Sequence, residues 1–254
     1  MACAALAISL ALAAVVTAAG AQAGQREDFI AGRTRECPRC DLSGVNFKRG
    51  DLAGADLTGA NLRKANFHDA RLIGARFLGA DLAGANLNKA NLSRADLGGA
   101  KLTDAMLYGA NLDAAKLISA DLTDAMMGTA RLTRADLSKA LLRNVDLRKG
   151  RLAEAILLDA DLDGVALDSA FLRGARLDRA KMRDARLMGA ELLGSFLAGA
   201  DLTDADASDA NLRGADLTRA DLTRTILRRA NLFESKLDGA VFNATVMPDG
   251  TTRP

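Results

Sequence analysis

The chain has 254 residues, with 34 basic against 32 acidic side chains and a formal charge of +2. That balance argues for neither a nucleic-acid binder nor an acidic mimic. Aromatic residues make up 4% and Trp is absent, which excludes a conventional globular core of large side chains, and one domain is expected.

Met1–Ala23 carries no charged side chain and contains the apolar run Leu6–Val16. Ala19-Gly20-Ala21 and Ala21-Gln22-Ala23 are small-x-small cleavage patterns, and a polar stretch opens at Gly24-Gln25-Arg26-Glu27. Residues 1–23 therefore read as a secretory signal peptide, and the expected location is periplasmic or secreted. No Lys or Arg precedes the apolar run, and the alternative is an uncleaved anchor, Ala-rich and barely long enough to span. A membrane is a partner only in that case.

Residues 24–40 do not start in the pattern that follows and read as an N-terminal cap. Phe29 and Ile30 are the large apolar residues of the stretch 26–36. Cys37-Pro38-Arg39-Cys40 closes the segment. Zinc needs four ligands, and one distant histidine, His68, is all the rest of the chain offers beyond Cys3 of the signal segment. Redox catalysis would need an exposed thiolate on a βαβ-type scaffold. Core packing and a disulfide between Cys37 and Cys40 both fit, the second suiting an exported chain.

Asp41–Thr245 is one five-residue unit repeated 41 times without insertion or deletion. With each unit numbered by its centre i (42, 47 and so on to 242), Leu fills 34 centres, and Ala fills i−2 in 32 of the 40 units from 45 to 240. A helix turns about 100° per residue, so a step of five would scatter the Leu side chains around the cylinder. A strand alternates faces. Only a chain that bends once per five residues keeps every i and i−2 side chain inside, and such repetition marks a solenoid. The i residue fills the lumen, and the i−2 residue must be small because it lies close to neighbouring coils. Gly at i+2 in 15 units points to turn dihedrals, and Asp or Asn at i−1 in 21 units points to side chains accepting from the backbone just ahead. Residues 246–254 read as a C-terminal tail, stopped by Pro248-Asp249-Gly250 and loose from Thr251 to Pro254.

Ala-(Asp/Asn)-Leu-x-x resembles the pentapeptide repeat proteins over about four fifths of the chain. The resemblance implies an all-β fold: a right-handed quadrilateral parallel β-helix with four units per coil, about ten coils and a rod of roughly 49 Å. Two function classes remain, the second of them implied by the resemblance. The first is a non-catalytic extracytoplasmic scaffold binding an unknown protein partner. The alternative is a DNA-mimicking, topoisomerase-binding protein. No cofactor, metal or nucleic acid is expected, and the assembly is expected to be a monomer or an end-to-end dimer.

Every fourth unit shares a face. On the outward slots i−1, i+1 and i+2, the first face (centres 42, 62 and on) has 11 acids against 7 bases, net −4. The second (47 on) is +3, the third (52 on) +2 and the fourth (57 on) neutral. Outward apolar residues give the candidate interaction surface: Met106, Tyr108 and Met126 on adjacent coils of the second face, and Ile156, Leu158 and Phe196 on the fourth. Phe171 and Leu193 lie on the third. His68, outward at i+1, reads as a solvated surface residue.

Overall fold

The computed structural model describes residues 24–254; the predicted signal segment, with Cys3, lies outside the described residues. The chain winds as a right-handed quadrilateral parallel β-helix. Parallel bridges join each i−1 residue to the one 20 positions on, from Glu36↔Asp56 to Ile226↔Val246, so four units make one coil. Each unit contributes a single bridging residue at a face rather than an extended strand.

The unit centred on Leu62 shows where the backbone donors go. Leu62 N–H donates to Asp81 O at 2.7 Å and Lys64 N–H to Ala83 O at 2.9 Å, both one coil on. Asn61 N–H donates to Cys40 O one coil back, at 2.9 Å, and Ala65 N–H closes a turn onto Leu62 O at 3.0 Å. Four of the five N–H groups thus find backbone partners, and the one at i+1 does not. Because an unpaired backbone donor is costly, a side chain or solvent takes it.

Asp or Asn at i−1 does so. In all 21 units with such a residue, its Oδ1 accepts from the i+1 N–H, at 2.9 to 3.3 Å. Where Met106, Arg131 and Lys181 occupy i−1, an amide or carboxylate in the i+1 slot of the coil below substitutes. Asn88 accepts from Tyr108 N–H, Asp113 from Thr133 N–H and Asp163 from Arg183 N–H.

The turn itself needs a left-handed residue. Positive φ, between 55° and 69°, occurs at i+2 in all 41 units, 15 of them Gly and 26 not. Together with the i+3 to i hydrogen bond this is the type II turn. Glycine frequency understates the requirement, because the turn geometry is imposed by the coils on both sides even on Arg, Lys and Asp.

Inside, the lumen residues from Leu57 to Met182 are fully buried, as are nearly all the i−2 alanines. Polar residues in i−2 slots bond to carbonyls: Ser195 Oγ donates to Leu192 O, Thr225 Oγ1 to Leu202 O and Ser235 Oγ to Leu232 O. The solenoid register begins one unit before the predicted range. Cys37 N–H donates to Asp56 O and Arg39 has φ of 59°, so Cys37 is a buried centre. Cys37 and Cys40 are joined by a disulfide with Cα atoms 5.3 Å apart.

Before it, a helical turn α1 (residues 24–30) sits over the first coil. Buried Phe29 meets the Phe47 ring edge-on at 5.8 Å, Phe47 stacks on Phe67 at 5.2 Å, and Phe67 meets Phe77 edge-on at 6.3 Å. The coil's first carbonyls take cap donors: Gln25 to Glu36 O, Arg26 to Asp41 O and Arg35 to Asp51 O.

The other end is closed differently. The stretch expected to be a loose tail is paired: β1 (Thr245–Val246) and β2 (Thr252–Arg253) form an antiparallel hairpin. Gly250 N–H bonds Met247 O, so Pro248-Asp249-Gly250 makes the turn instead of ending the structure. The Arg253 guanidinium lies 3.7 Å from the Phe242 ring centre. Leu232, Leu237 and Phe242 stay half-buried, and no backbone acceptor lies above the N–H groups of Leu232, Glu234, Leu237 and Gly239.

Candidate interaction surface

Carboxylates recur throughout the outward slots, and the fold uses most of them. Besides capping turns, they link coils through arginines. Asp113 takes Arg131, Glu154 takes Arg134, Asp159 takes Arg179 and Asp201 takes Arg183. Among the described residues, Asp161 is the acidic residue buried as a whole, and both carboxylate oxygens of Asp168 are shielded beside Arg186. Burial pushes the Asp161 pKa up, but the Arg143 guanidinium and the Asp163 N–H pull harder, and the net lies below the usual carboxylate range. Among the described residues, no group of three His, Cys, Asp or Glu side chains gathers as metal ligands would, and no helix is long and apolar enough to cross a membrane.

The predicted outward apolar residues fall into two sets. Met106 bridges directly to Met126 on the second face. The Tyr108 ring covers Gly128, where an added Cβ would stand 3.2 Å from a ring carbon. Tyr108 and Met126 are 56% and 49% exposed, so these three residues form one apolar patch. On the fourth face Ile156 and Leu158 are half-buried, and Arg176 bridges to both Ile156 and Phe196, separating them by a coil. Leu78 and Ile118, exposed on the same face, are outward apolar residues that the sequence reading passed over.

The second-face patch does not stop at its own face. A depression of about 220 Å³ lined by Tyr108, Gly128, Asp146 and Arg148 reaches Thr129 and Lys149 at the corner. The same two residues line an open trough of about 580 Å³ on the third face, with Arg151, Phe171 and Arg173. Phe171 is half exposed. Through Thr133 and Arg151 that trough runs into another, of about 620 Å³, lined by Ile73, Arg94, Arg131 and Arg134 among others. The third face's +2 is thus concentrated mid-rod. Between residues 91 and 174 its outward slots carry Arg94, Arg131, Arg134, Arg151 and Arg173 against Asp113 and Glu154. A face-by-face listing of charge and apolar residues hides this continuity, because it crosses a corner.

The family profile described as pentapeptide repeats matches in 8 copies between residues 40 and 224. Among solved structures, HetL, a pentapeptide repeat protein involved in heterocyst differentiation regulation in the cyanobacterium Nostoc sp. strain PCC 7120, is 33% identical. The match covers 89% of this chain and 97% of HetL, with a TM-score of 0.39. QnrB1, a plasmid-mediated fluoroquinolone resistance protein, is 18% identical, with 67% of this chain and 86% of QnrB1 covered and a TM-score of 0.54; this likeness is one of fold. A pentapeptide repeat protein of the Arabidopsis thaliana thylakoid lumen is 33% identical over 44% of this chain and 71% of its own, with a TM-score of 0.32. No curated protein matches.

Proposed function

Because the chain belongs to the pentapeptide repeat family, we propose that it is a non-catalytic interaction scaffold working outside the cytoplasm. The observation that carries this reading is the occupation of its chemistry-bearing side chains. Asp and Asn at i−1 cap turns, and many of the carboxylates elsewhere on the faces, such as Asp69, Asp113, Glu154, Asp159, Asp168, Asp204 and Asp209, pair with arginines one coil away. What the rod offers a partner is its outward surface, richest in apolar and cationic groups around the second and third faces. The apolar run of residues 6–16 and the Cys37–Cys40 disulfide support export, since such bonds persist in oxidising compartments.

Fractionation with thiol trapping tests this reading. We expect the protein in the periplasm or medium, with Cys37 and Cys40 resisting alkylation until reduced. Cytoplasmic protein with both thiols alkylated would contradict it. The topoisomerase-binding alternative stands second. Duplex DNA carries one charge per about 1.7 Å, whereas the most acidic face nets −4 over the whole rod, and its Asp81, Asp161 and Asp201 each hold an arginine. A gyrase supercoiling assay in which the protein inhibits, and charge reversal at Asp121 and Asp124 abolishes inhibition, would put it first.

A further inference from the structure

The coil register fixes which side chains stand above and below each cation on this rod. Two i−1 arginines reach an aspartate in the same slot of the coil below, Arg71 to Asp51 and Arg76 to Asp56, while Arg131 and Arg186 reach the i+1 aspartates Asp113 and Asp168. For Arg151 the slots below and above are Arg131 and Phe171. For Arg173 they are Ala153 and Leu193, and for Lys149 they are Thr129 and Ser169. Lys149 and Arg151 thus have no carboxylate in those slots, while Arg173 has Glu191 in the i−1 slot above, where Arg63, Arg143 and Arg183 each find an aspartate, but does not pair with it. None of them forms an ion pair among the described residues, while the neighbouring Arg131, Arg134 and Arg148 all do.

These three unpaired cations surround one end of the third-face trough, and exposed aromatic rings lie on both sides of them. Phe171 lies beyond Arg151 on the third face, and Tyr108, with Met126, lies round the corner past Lys149. We propose that this corner binds an acidic protein segment that places apolar side chains on Phe171 and on the Tyr108–Met126 patch, and carboxylates on Lys149, Arg151 and Arg173. The guanidinium fork matches a carboxylate in two-point geometry, and aromatic anchors beside charges are the composition of interface hot spots. The coils beneath already pair their backbone groups with one another, so the segment is recognised by side chains and not by adding a strand. A sulfated or phosphorylated polymer would satisfy the cations but leave the Met126 and Phe171 surfaces wet.

The inference rests on the scaffold reading but not on the compartment, so binding is read on purified protein while export is read by fractionation. The probe is a short fluorescein-labelled peptide in which glutamates flank two leucines, followed by anisotropy. We expect saturable binding that is lost when glutamine replaces glutamate. We expect it to weaken about tenfold in Phe171→Ala and in the double variant Arg151→Gln with Arg173→Gln, and to be unchanged in Arg228→Ala, an exposed base on another part of the second face. Melting temperatures of the variants, all at outward positions, report that the rod is intact. Equal binding of the glutamate and glutamine peptides would overturn the proposal. So would unchanged affinity in Phe171→Ala with full displacement by heparin, which would make the corner a general polyanion surface.

Discussion

The lumen from Leu57 to Met182 and the lumen from Leu187 to Phe242 share one backbone ladder but differ in filling. In the first, every centre has no measurable exposure; in the second, Leu202 and Leu212 are 4% exposed and Ala207 2%. Leu222 and Leu227, nearer the open end, fall back to 1%, so the residual exposure is not fraying from the terminus. It centres on Ala207, which takes the place of a leucine in the column between Leu187 and Leu227. The ladder nevertheless continues across it: Ala207 N–H donates to Ile226 O at 2.8 Å and Asp209 N–H to Arg228 O at 2.9 Å. Register is therefore set by the turns and their Asp/Asn caps, and lumen filling adds stability on top of it.

The largest effect that can break this comparison comes from charging the filled lumen. Leu137→Asp buries an unpaired carboxylate and is expected to cost several kcal/mol, roughly 3–5, unfolding its coil. Ser119→Asp, at an exposed i+2 slot where the rod already carries aspartates, should leave the melting temperature unchanged. Equal losses in the two variants would refute the inward and outward slots.

Next in size is the cap. Phe29→Ala removes the ring that closes the first coil and is expected to cost about 3–5 kcal/mol of local stability. Amide exchange should accelerate around Phe47 and stay unchanged beyond mid-rod; acceleration along the whole rod would show that the coils do not open separately.

Enlarging Ala207 sharpens the comparison from the other side. Ala207→Leu is expected to raise stability by about 0.5–2 kcal/mol, seen as a higher melting temperature. A lower one would mean the backbone has already closed the gap and the added side chain overpacks it.

The smallest effect concerns the turn caps. The Asp56 carboxyl is held low by its hydrogen bonds with Thr58, and Arg76 adds to this against the opposing effect of burial. Asp216 is lowered chiefly by its hydrogen bonds with Thr218. A folded-state pKa below the unfolded value gives stability that is present above the unfolded value, about 3.9, and lost as pH falls through the folded one. Thermal stability should thus decline as pH drops below about 4. Asp56→Asn keeps the Oδ1 acceptor but does not titrate, so its decline should be slightly shallower. An identical profile would show that this charge contributes nothing.

Period five made the solenoid, the lumen slots and the i−1 caps legible, because each depends on one unit and repeats in all of them. What depends on coil-to-coil neighbours was harder to see. The capping of Tyr108 N–H by Asn88 requires pairing residues 20 apart, and the continuity of Tyr108 with Phe171 requires looking round a corner between faces. Pro248-Asp249-Gly250 was read as a stop because it breaks the repeat. It is instead the turn that brings Arg253 over Phe242, and nothing in a single unit encodes that contact. Cys37 and Cys40 were legible as packed or bonded to each other, but composition left the choice open; the disulfide is seen only in the fold.

Residue-resolved amide exchange on the folded chain tests most directly whether turns set register and lumen filling sets stability. The prediction is slow exchange at i−2, i−1, i and i+2 in every unit from Leu57 to Met182, repeating every five residues. Protection should dip around Ala207 and fall again toward Leu232 and Phe242, where the last N–H groups have no coil above them. Uniform protection from end to end, or protection without the five-residue period, would contradict the account.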